Sequence, residues 1–297
     1  MQQPDGRYAP SPTGTLHFGN LRTALLAWLF ARSQGARFLM RVEDLDSGRV
    51  REHFVEEQLA DVRSLGLDWD GDAVRQSERT ELYEAALETL RGQGLLYECF
   101  CTRAEIREAA SAPHGAGPEG AYPGTCRTLS RAQLAQRAET GRPPALRVRA
   151  DESEVTVADR LLGNVTTVVD DFVVRRNDGA HAYNLAVVVD DAAQGIGEVV
   201  RGADLLDSTP RQVWLAQALG VQPPASFAHV PLMLSEDGDR LAKRDGATTL
   251  ADAAADGHDA IAVRGRLAAS VGLCEAGESP SLDSLLTAFD PAALRAG

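Results

Sequence analysis

RYAPSPTGTLHFGN, at residues 7–20, is a turn rich in proline and glycine that leads directly into the apolar run LRTALLAWLF at residues 21–30. The apolar run predicts a buried helix, so the turn lies at a helix N-terminus. Unpartnered backbone N–H groups and the helix dipole favour a bound anion there. The turn also carries His17, while Gly14 and Gly19 allow a ligand to approach the backbone closely. The alternative is an ordinary loop whose histidine is satisfied by protein contacts.

The segments around this helix predict a parallel sheet. Residues 6–10 and 36–43 have the pattern of short strands, and residues 21–33 form the helix between them. Strand, helix and strand in so short a stretch make a βαβ unit, which requires parallel strands. The second strand ends in the acidic run EDLD at residues 43–46. Acids at the carboxyl end of a parallel strand face the crevice where open α/β sheets bind ligands.

The composition is that of an ordinary globular chain. The 297 residues are 44% hydrophobic and 25% charged, and the formal net charge is −13. This acidic balance argues against a protein that coats nucleic acid without specificity, although separate basic residues could still converge locally. No apolar run reaches the roughly 18 residues of a membrane helix, and the start, MQQPDG, lacks the parts of a signal peptide. We expect a cytoplasmic protein and a monomer.

The middle of the chain interrupts the α/β pattern. Alternating or β-branched runs at residues 146–149, 154–157, 164–169 and 172–174 predict short antiparallel strands. We therefore predict an α+β insertion at residues 97–175.

The α/β pattern then returns. Residues 198–202 and 229–234 have the pattern of buried strands, and Pro210 marks the start of a helix that runs to about Leu219. We divide the chain into the first half of an α/β domain at 1–96, the insertion at 97–175, the second half at 176–250 and a short helical C-terminal segment at 251–297.

Three cysteines cluster in the insertion. Cys99 and Cys101 precede a segment rich in glycine and proline, and Cys126 follows it. In a cytosolic chain such a cluster is typical of metal binding rather than of disulfides. Three thiolates and a fourth ligand would form a tetrahedral zinc site, and His114 is a chemically ordinary candidate for that ligand. The alternative is three unlinked thiols.

A second loop, RLAKR at residues 240–244, complements the turn around His17. By itself a loop with lysine and arginine is usually a solvated turn. A phosphate-transfer site, however, needs both parts: a histidine with backbone N–H groups to hold phosphate oxygens, and a lysine to cover the leaving pyrophosphate. The pair therefore predicts an ATP site that includes His17 and Lys243.

Both loops resemble a known family. HFGN at 17–20 resembles the HIGH signature of class I aminoacyl-tRNA synthetases, and RLAKR at 240–244 resembles their KMSKS loop. The turn at 7–14, RVED at 41–44 and RGAD at 201–204 resemble the glutamyl branch of that class. These motifs follow one another in the expected order over most of the chain.

The resemblance implies a Rossmann-like parallel-sheet catalytic domain with a zinc-bearing insertion. It implies ATP with Mg²⁺ as a substrate and Tyr122 as the fourth ligand of one structural zinc ion, with Cys99, Cys101 and Cys126. The implied glutamate-binding residues are Arg7, Ala9, Ser11, Glu43, Tyr183 and Arg201. The implied ATP-binding residues are His17, Gly19, Asn20, Arg240 and Lys243, of which His17, Asn20 and Lys243 are the implied catalytic residues.

The chemistry of these residues agrees with a glutamate ligand. Arginine is the natural bidentate partner of a carboxylate, so Arg7 and Arg201 suit a substrate with two carboxylates, and Glu43 suits its ammonium group. The alternative for Arg201 and Glu43 is an ordinary ion pair at strand ends. The second loop departs from the family pattern, because Arg240 replaces the first lysine and Ala242 replaces the serine.

Within the glutamyl branch, the chain resembles the glutamyl-Q tRNA(Asp) synthetases. It ends at Gly297, soon after Lys243, so we expect no helical anticodon-binding domain. The resemblance implies activation of L-glutamate by ATP and transfer of the glutamyl group to queuosine at the wobble position of tRNA(Asp). Two alternatives remain open: a truncated glutamyl-tRNA synthetase that charges a tRNA 3′ end, and an inactive paralogue that serves as a binding module.

Overall fold

The computed structural model of the protein describes residues 3–110, 122–233 and 248–294. The described strands are β1 (Gly6–Tyr8), β2 (Phe38–Val42), β3 (Val74–Arg75), β4 (Leu96–Cys99), β5 (Ala145–Val148), β6 (Ser153–Asp159), β7 (Gly163–Val169), β8 (Val173–Arg175), β9 (Glu198–Gly202) and β10 (Ser226–Val230). The described α-helices are α1 (Phe18–Ser33), α2 (Glu52–Ser64), α3 (Thr80–Gly92), α4 (Arg103–Ala110), α5 (Arg131–Ala138), α6 (Tyr183–Gln194), α7 (Thr209–Leu219), α8 (Leu250–Ala255), α9 (Ala260–Ala269) and α10 (Leu282–Ala288).

The first βαβ unit forms as the sequence predicts. β1 pairs in parallel with β2, with Gly6 opposite Phe38 and Tyr8 opposite Met40, and β3 pairs in parallel with the other edge of β2. α1 is buried over most of its surface because its sequence is apolar around most of the helix. Its packing on β1 is close, since a Cβ added at Gly6 would lie 3.1 Å from the Cβ of Ala31.

The second half of the chain extends this arrangement. β9 pairs in parallel with β10, and β10 pairs in parallel with β6. A parallel bridge between Asp5 and Ile196 joins the chain just before β1 to the chain just before β9. The strands therefore run in the order β3-β2-β1 and then β9-β10-β6-β7, which confirms the predicted α/β parallel-sheet class. At such a junction the carboxyl ends of β1 and β9 border the crevice where doubly wound sheets bind ligands.

The interval predicted as an insertion contributes to two sheets. β4, β5 and β8 form a separate antiparallel sheet. β6 and β7 form an antiparallel hairpin within residues 97–175, yet β6 also pairs with β10 of the main sheet. Alternate residues of β6, Val155 and Val157, are buried in the same core as Phe227 of β10, which favours this pairing. The four-part division of the chain stays a prediction.

The expected strand at residues 229–234 is wrong in its position. The observed strand, β10, begins its pairing with β9 at Ser226 opposite Glu198 and ends at Val230. It stops there because Pro231 has no N–H group with which to continue the ladder.

The C-terminal part is helical where the structure describes it, as predicted. α9 and α10 contact α1, and Leu267 and Leu285 share one hydrophobic core with Leu25 of that helix. These helices thus cover the side of α1 that faces away from the sheet. Among the described residues, no helix is long and apolar enough to cross a membrane.

Candidate active site

A cavity of about 520 Å³, the first cavity below, opens where β1 and β9 end. Its wall is formed by the turn before α1, the residue after β2, the start of α6 and the end of β9. It brings together nine residues that the sequence singles out: Arg7, Ala9, Ser11, His17, Gly19, Asn20, Glu43, Tyr183 and Arg201. Arg240, Ala242 and Lys243 lie outside the described residues.

The turn that leads into α1 is held by a side chain that the sequence did not single out. Gln58 of α2 is 3% exposed, and its Nε2 donates to the carbonyl oxygens of Ser11 at 3.2 Å and Gly14 at 2.6 Å. The backbone N–H of Glu43 donates to the carbonyl oxygen of Pro10 at 2.9 Å. These bonds connect the turn to α2 and to the end of β2, so its backbone has a defined course along the cavity.

The start of α1 is organised around its N-cap residue, His17. The backbone N–H of His17 donates to Oδ1 of Asn20 at 3.3 Å. The His17 ring lies over Gly19, where an added Cβ would come within 3.1 Å of two ring atoms. Tyr8 of β1 donates from its hydroxyl to the carbonyl oxygen of Asn20 at 3.2 Å. A side chain at position 19 would therefore crowd the histidine ring, and the helix start is tied to β1.

Both described ends of the segment that carries Lys243 are attached to α1. On one side, Nη2 of the buried Arg22 donates to the carbonyl oxygen of Pro231 at 2.5 Å. On the other, the backbone N–H of Phe18 donates to the carbonyl oxygen of Thr248 at 3.0 Å. The described residues on either side of the second motif are thus both bonded to the first turns of the helix that begins in the first motif.

A buried network of charges lies behind the first cavity. Asp191 of α6 accepts from Nε of Arg7 at 3.3 Å and from Nη1 of Arg41 at 2.7 Å. Nη2 of Arg41 lies 3.4 Å from Oε1 of Glu43, and Arg41 is fully buried. The structure therefore links two residues that were expected to bind a ligand, Arg7 and Glu43. The link runs through Arg41 and Asp191, which the sequence did not indicate as site residues. The acidic pair at residues 190 and 191 was the available signal.

Burial also changes the acidity of these groups. It raises the pKa of Glu43, and this effect outweighs the opposite effect of Arg41 and Arg7. Burial would likewise raise the pKa of Asp191, but the two arginines lower it overall. The network therefore keeps Asp191 ionised. As the pH is lowered, Glu43 takes up a proton before Asp191 does.

The three cysteines of the insertion meet at one point, as predicted. The sulfur atoms of Cys99, Cys101 and Cys126 all lie within 4.8 Å of one another. The hydroxyl oxygen of Tyr122 is 3.4 Å from the Cys99 sulfur and 3.6 Å from the Cys101 sulfur. We call these four residues the cysteine cluster. His114, the alternative fourth ligand, lies outside the described residues.

The cysteine cluster fits a zinc ion by its donors and its spacing. Thiolates around one tetrahedral zinc ion lie about 3.8 Å apart, because Zn–S bonds are about 2.3 Å long. Burial raises the pKa of the Cys101 thiol to about 12, so this thiol is not a stable thiolate at neutral pH without a cation beside it. The cluster is thus compatible with zinc, and its ligands would be the three cysteine sulfurs, either alone or together with the Tyr122 oxygen.

A second cavity, of about 590 Å³, adjoins the first, and Ser11, Glu43 and Tyr183 line both. It extends from there to the cysteine cluster. Its lining is rich in arginine: Arg49, Arg103, Arg142, Arg147 and Arg176. Glu43 and Asp46 line the same cavity, and Asp46 pairs with Arg49 and Arg176. The five arginines of the lining still outnumber its two acids, on a chain whose formal net charge is −13.

Known proteins with a similar sequence agree with the fold and the motifs. Residues 5–276 match the family model for tRNA synthetases class I (E and Q), catalytic domain. A glutamyl-Q tRNA(Asp) synthetase of Nocardia farcinica is 60% identical over 97% of this chain and 90% of its own length. Another, of Symbiobacterium thermophilum, is 49% identical over 96% of this chain and 92% of its own length.

Solved structures have the same architecture. A glutamate tRNA ligase from Elizabethkingia meningosepticum, solved in complex with its amino acid, superposes with a TM-score of 0.83 at 27% identity. The match covers 100% of this chain and 66% of the ligase chain. The chain therefore belongs to the class I tRNA synthetases of the E and Q type, and within them to the family of the glutamyl-Q tRNA(Asp) synthetases.

Proposed function

We infer that this protein is a ligase that activates L-glutamate with ATP and transfers the glutamyl group to the queuosine base of tRNA(Asp). The observation that carries this inference is the first cavity, where an anion-binding helix start and two buried arginines face the same space. The identity of the acceptor is supported by the names of the relatives that match over nearly their whole length.

In our proposal, glutamate binds in the half of the first cavity next to β9. Arg7 and Arg201 bind its carboxylates, since the fork of N–H donors on a guanidinium matches a carboxylate. Glu43 accepts from its ammonium group, and the hydroxyls of Tyr183 and Ser11 add hydrogen bonds. Ala9 lines the same wall and leaves room for the ligand backbone.

ATP binds at the start of α1 in this proposal. His17, Gly19 and Asn20 contact the phosphates, and the positive end of the helix dipole favours their charge. ATP arrives as its Mg²⁺ complex, in which the cation offsets part of the phosphate charge. Lys243 and Arg240 contact the phosphates from the second loop, and the attachment of Pro231 and Thr248 to α1 supports this role.

The reaction has two steps. First, an oxygen of the glutamate α-carboxylate attacks the α-phosphorus of ATP, and the bond to pyrophosphate breaks, which leaves glutamyl-adenylate. Next, a hydroxyl of the cyclopentene-diol of queuosine attacks the activated carbonyl carbon and loses its proton, and AMP leaves. The product is an ester between glutamate and the modified base.

The second cavity is our proposed route for the tRNA. It adjoins the glutamate site through Ser11, Glu43 and Tyr183, so a base that enters it can reach the activated carbonyl group. Its arginines suit the phosphates of an RNA strand, which supply most of the affinity in such complexes. We further propose that the cysteine cluster holds one structural zinc ion, that the protein acts as a monomer, and that it works in the cytoplasm.

One observation favours a second candidate function. The fold matches a glutamate tRNA ligase with a TM-score of 0.83, and a ligase of that kind charges the 3′ end of a tRNA. The first half-reaction would be the same, so glutamate-dependent exchange of pyrophosphate into ATP does not separate the two functions. It does separate both from an inactive paralogue, which would show no exchange.

The deciding experiment uses labelled glutamate and ATP with three RNAs: tRNA(Asp) with queuosine, tRNA(Asp) without it, and tRNA(Glu). We expect label only on the queuosine-containing tRNA(Asp). Nuclease digestion then locates the label on the anticodon fragment. Label on the 3′-terminal adenosine of tRNA(Glu) would refute the proposed acceptor.

A further inference from the structure

Behind Arg201 lies a row of buried polar side chains that no step of the proposed reaction uses. The row begins at Thr209, at the start of α7, continues with His229 of β10 and ends with Asp159 of β6. These side chains are buried, with exposed fractions of 0%, 1% and 6% in that order. We call these three residues the relay. Buried polar groups are costly to retain unless they are hydrogen bonded, so their arrangement calls for an explanation.

The relay is a continuous chain of short hydrogen bonds. Nη2 of Arg201 lies 2.6 Å from the hydroxyl oxygen of Thr209, and that oxygen lies 2.9 Å from Nε2 of His229. Nε of Arg201 also donates to Nε2 of His229, at 3.2 Å. At the far end, Nδ1 of His229 lies 2.6 Å from Oδ2 of Asp159.

The partners of Asp159 define where the protons lie. Its Oδ2 also accepts from the backbone N–H of His229, and its Oδ1 accepts from those of Leu161 and Leu162. A carboxylate with so many donors favours a hydrogen on Nδ1 of His229. Nε2 is then free of hydrogen, and its lone pair accepts from Arg201. The single hydrogen of the Thr209 hydroxyl lies within reach of both Nε2, at 2.9 Å between the heavy atoms, and the carbonyl oxygen of Leu205, at 3.4 Å. Burial would raise the pKa of Asp159, but the bond from His229 and these backbone bonds lower it overall.

The relay leaves a specific part of Arg201 for a ligand. A guanidinium has five N–H donors. Nε and one hydrogen of Nη2 point to the relay, while one hydrogen of Nη1 reaches the Tyr183 hydroxyl at 3.2 Å. Among the described residues, these contacts leave one hydrogen on each terminal nitrogen. A hydrogen on each terminal nitrogen is what a guanidinium donates when it binds a carboxylate end-on in bidentate fashion.

The charge of the groups that contact Arg201 is as informative as the direction of its hydrogen bonds. Within the described residues, the hydrogen bonds of Arg201 go to the neutral groups of Tyr183, Thr209 and His229, and none of them is an ion pair. Its guanidinium also lies over the Phe227 ring, 5.9 Å from the ring centre. Arg7 and Arg41 differ, because both contact the carboxylate of Asp191 directly. A carboxylate directly against Arg201 would compete with a carboxylate of the substrate. The histidine instead separates Arg201 from Asp159 and presents only a lone pair.

We propose that Asp159, His229 and Thr209 are positioning residues that orient Arg201 for a glutamate carboxylate without neutralising its charge. This role rests on the proposed function, in which Arg201 binds glutamate. It assigns a part in substrate recognition to residues that do not line the first cavity. A purely structural role would instead require only that the relay fill the space between β6, β10 and α7.

The test compares neutral acceptors with apolar replacements in the full-length protein. His229→Gln keeps an amide oxygen near the position of Nε2, whereas His229→Leu removes the acceptor. Thr209→Ser keeps the hydroxyl, whereas Thr209→Val removes it with little change of shape. KM for glutamate and KM for ATP are measured separately by pyrophosphate exchange, and glutamate binding is measured by calorimetry.

We expect His229→Leu and Thr209→Val to raise KM for glutamate by about tenfold or more, the size of one lost hydrogen bond to a charged group, while KM for ATP changes less than about twofold. His229→Gln and Thr209→Ser should recover most of the loss. If His229→Leu does not fold, the comparison of Thr209→Val with Thr209→Ser decides. Equal rises in both KM values, or no rise in either apolar variant, would refute the relay. Failure of the wild-type protein to bind glutamate would refute the proposed function and the relay together.

Discussion

The first cavity and the cysteine cluster both gather polar groups from distant parts of the chain, but they balance charge in different ways. Behind the first cavity, Asp191 lies between Arg7 and Arg41, so cations and anions of the protein offset each other. In the cysteine cluster, three sulfurs and one phenol oxygen lie close together, and all four are atoms of a kind that can bind a cation.

This difference has a physical consequence. In the network behind the first cavity, Asp191 is already paired with Arg7 and Arg41 in the folded chain, and the protein therefore holds Arg7 and Glu43 ready before a ligand arrives. The cysteine cluster brings together groups that would repel one another as thiolates, so its ionised form needs a bound cation. We therefore expect the stability of the first region to depend most on its charged side chains, and that of the cysteine cluster to depend most on a bound metal ion.

The largest expected effect comes from breaking the charge network. Asp191→Ala would leave Arg7 and Arg41 buried without their shared carboxylate, and we expect it to lower the free energy of unfolding by about 3–5 kcal/mol. Urea denaturation measures this change. Glu88→Ala, which removes the partner of Arg91 in an exposed pair, is the control and should have no measurable effect. A loss for Asp191→Ala as small as that of the control would show that the network does not stabilise the fold.

A smaller effect is expected at the fourth position of the cysteine cluster. Tyr122→Phe removes one donor and leaves the three thiols, so we expect zinc to bind about 10-fold more weakly. His114→Ala should leave zinc binding unchanged, and Cys126→Ser should abolish it. Zinc content after dialysis against a graded chelator measures all three.

The opposite result at these two positions would identify the ligand differently. Weaker zinc binding in His114→Ala, with normal binding in Tyr122→Phe, would make His114 the fourth ligand. In either case glutamate-dependent pyrophosphate exchange should change less than about threefold, because the cluster lies outside the first cavity.

The smallest effect is a pH dependence at Glu43. Burial raises the pKa of this carboxyl, and its ionised form is the one that accepts from the ammonium group of glutamate. As pH falls through this raised pKa, the carboxylate is protonated, so KM for glutamate should rise by about threefold at a pH where an ordinary glutamate is still ionised. Glu43→Gln should have a high KM at every pH and lack this rise. The same rise in Glu43→Gln would assign the titration to another group.

Local sequence patterns predicted much of the fold. The bounds of β9 and α7 agree with the expected strand and helix, because their apolar spacing and end residues act over a few positions. The position of β10 could not be read in the same way. Its apolar run continues past Val230, and only pairing with β9 and the missing N–H of Pro231 set its end.

The residues of the site also fall into those that the sequence indicated and those that only the structure revealed. The motifs named nine of the residues that line the first cavity, since each motif is a short pattern that can be read from adjacent letters. They did not name Gln58, Asp191, His229 or Asp159. Each of these acts through a partner more than 20 positions away, and no local pattern records such a contact.

The sequence by itself determined the α/β class, the glutamyl-type motifs and the cysteine cluster, because these depend on residue type and short spacing. The tertiary structure alone decided which arginines have a counter-charge: Arg7 contacts a carboxylate on α6, whereas Arg201 contacts neutral groups on α6, α7 and β10. Charge balance depends on distances of a few ångströms between distant segments, and only the folded chain sets those distances.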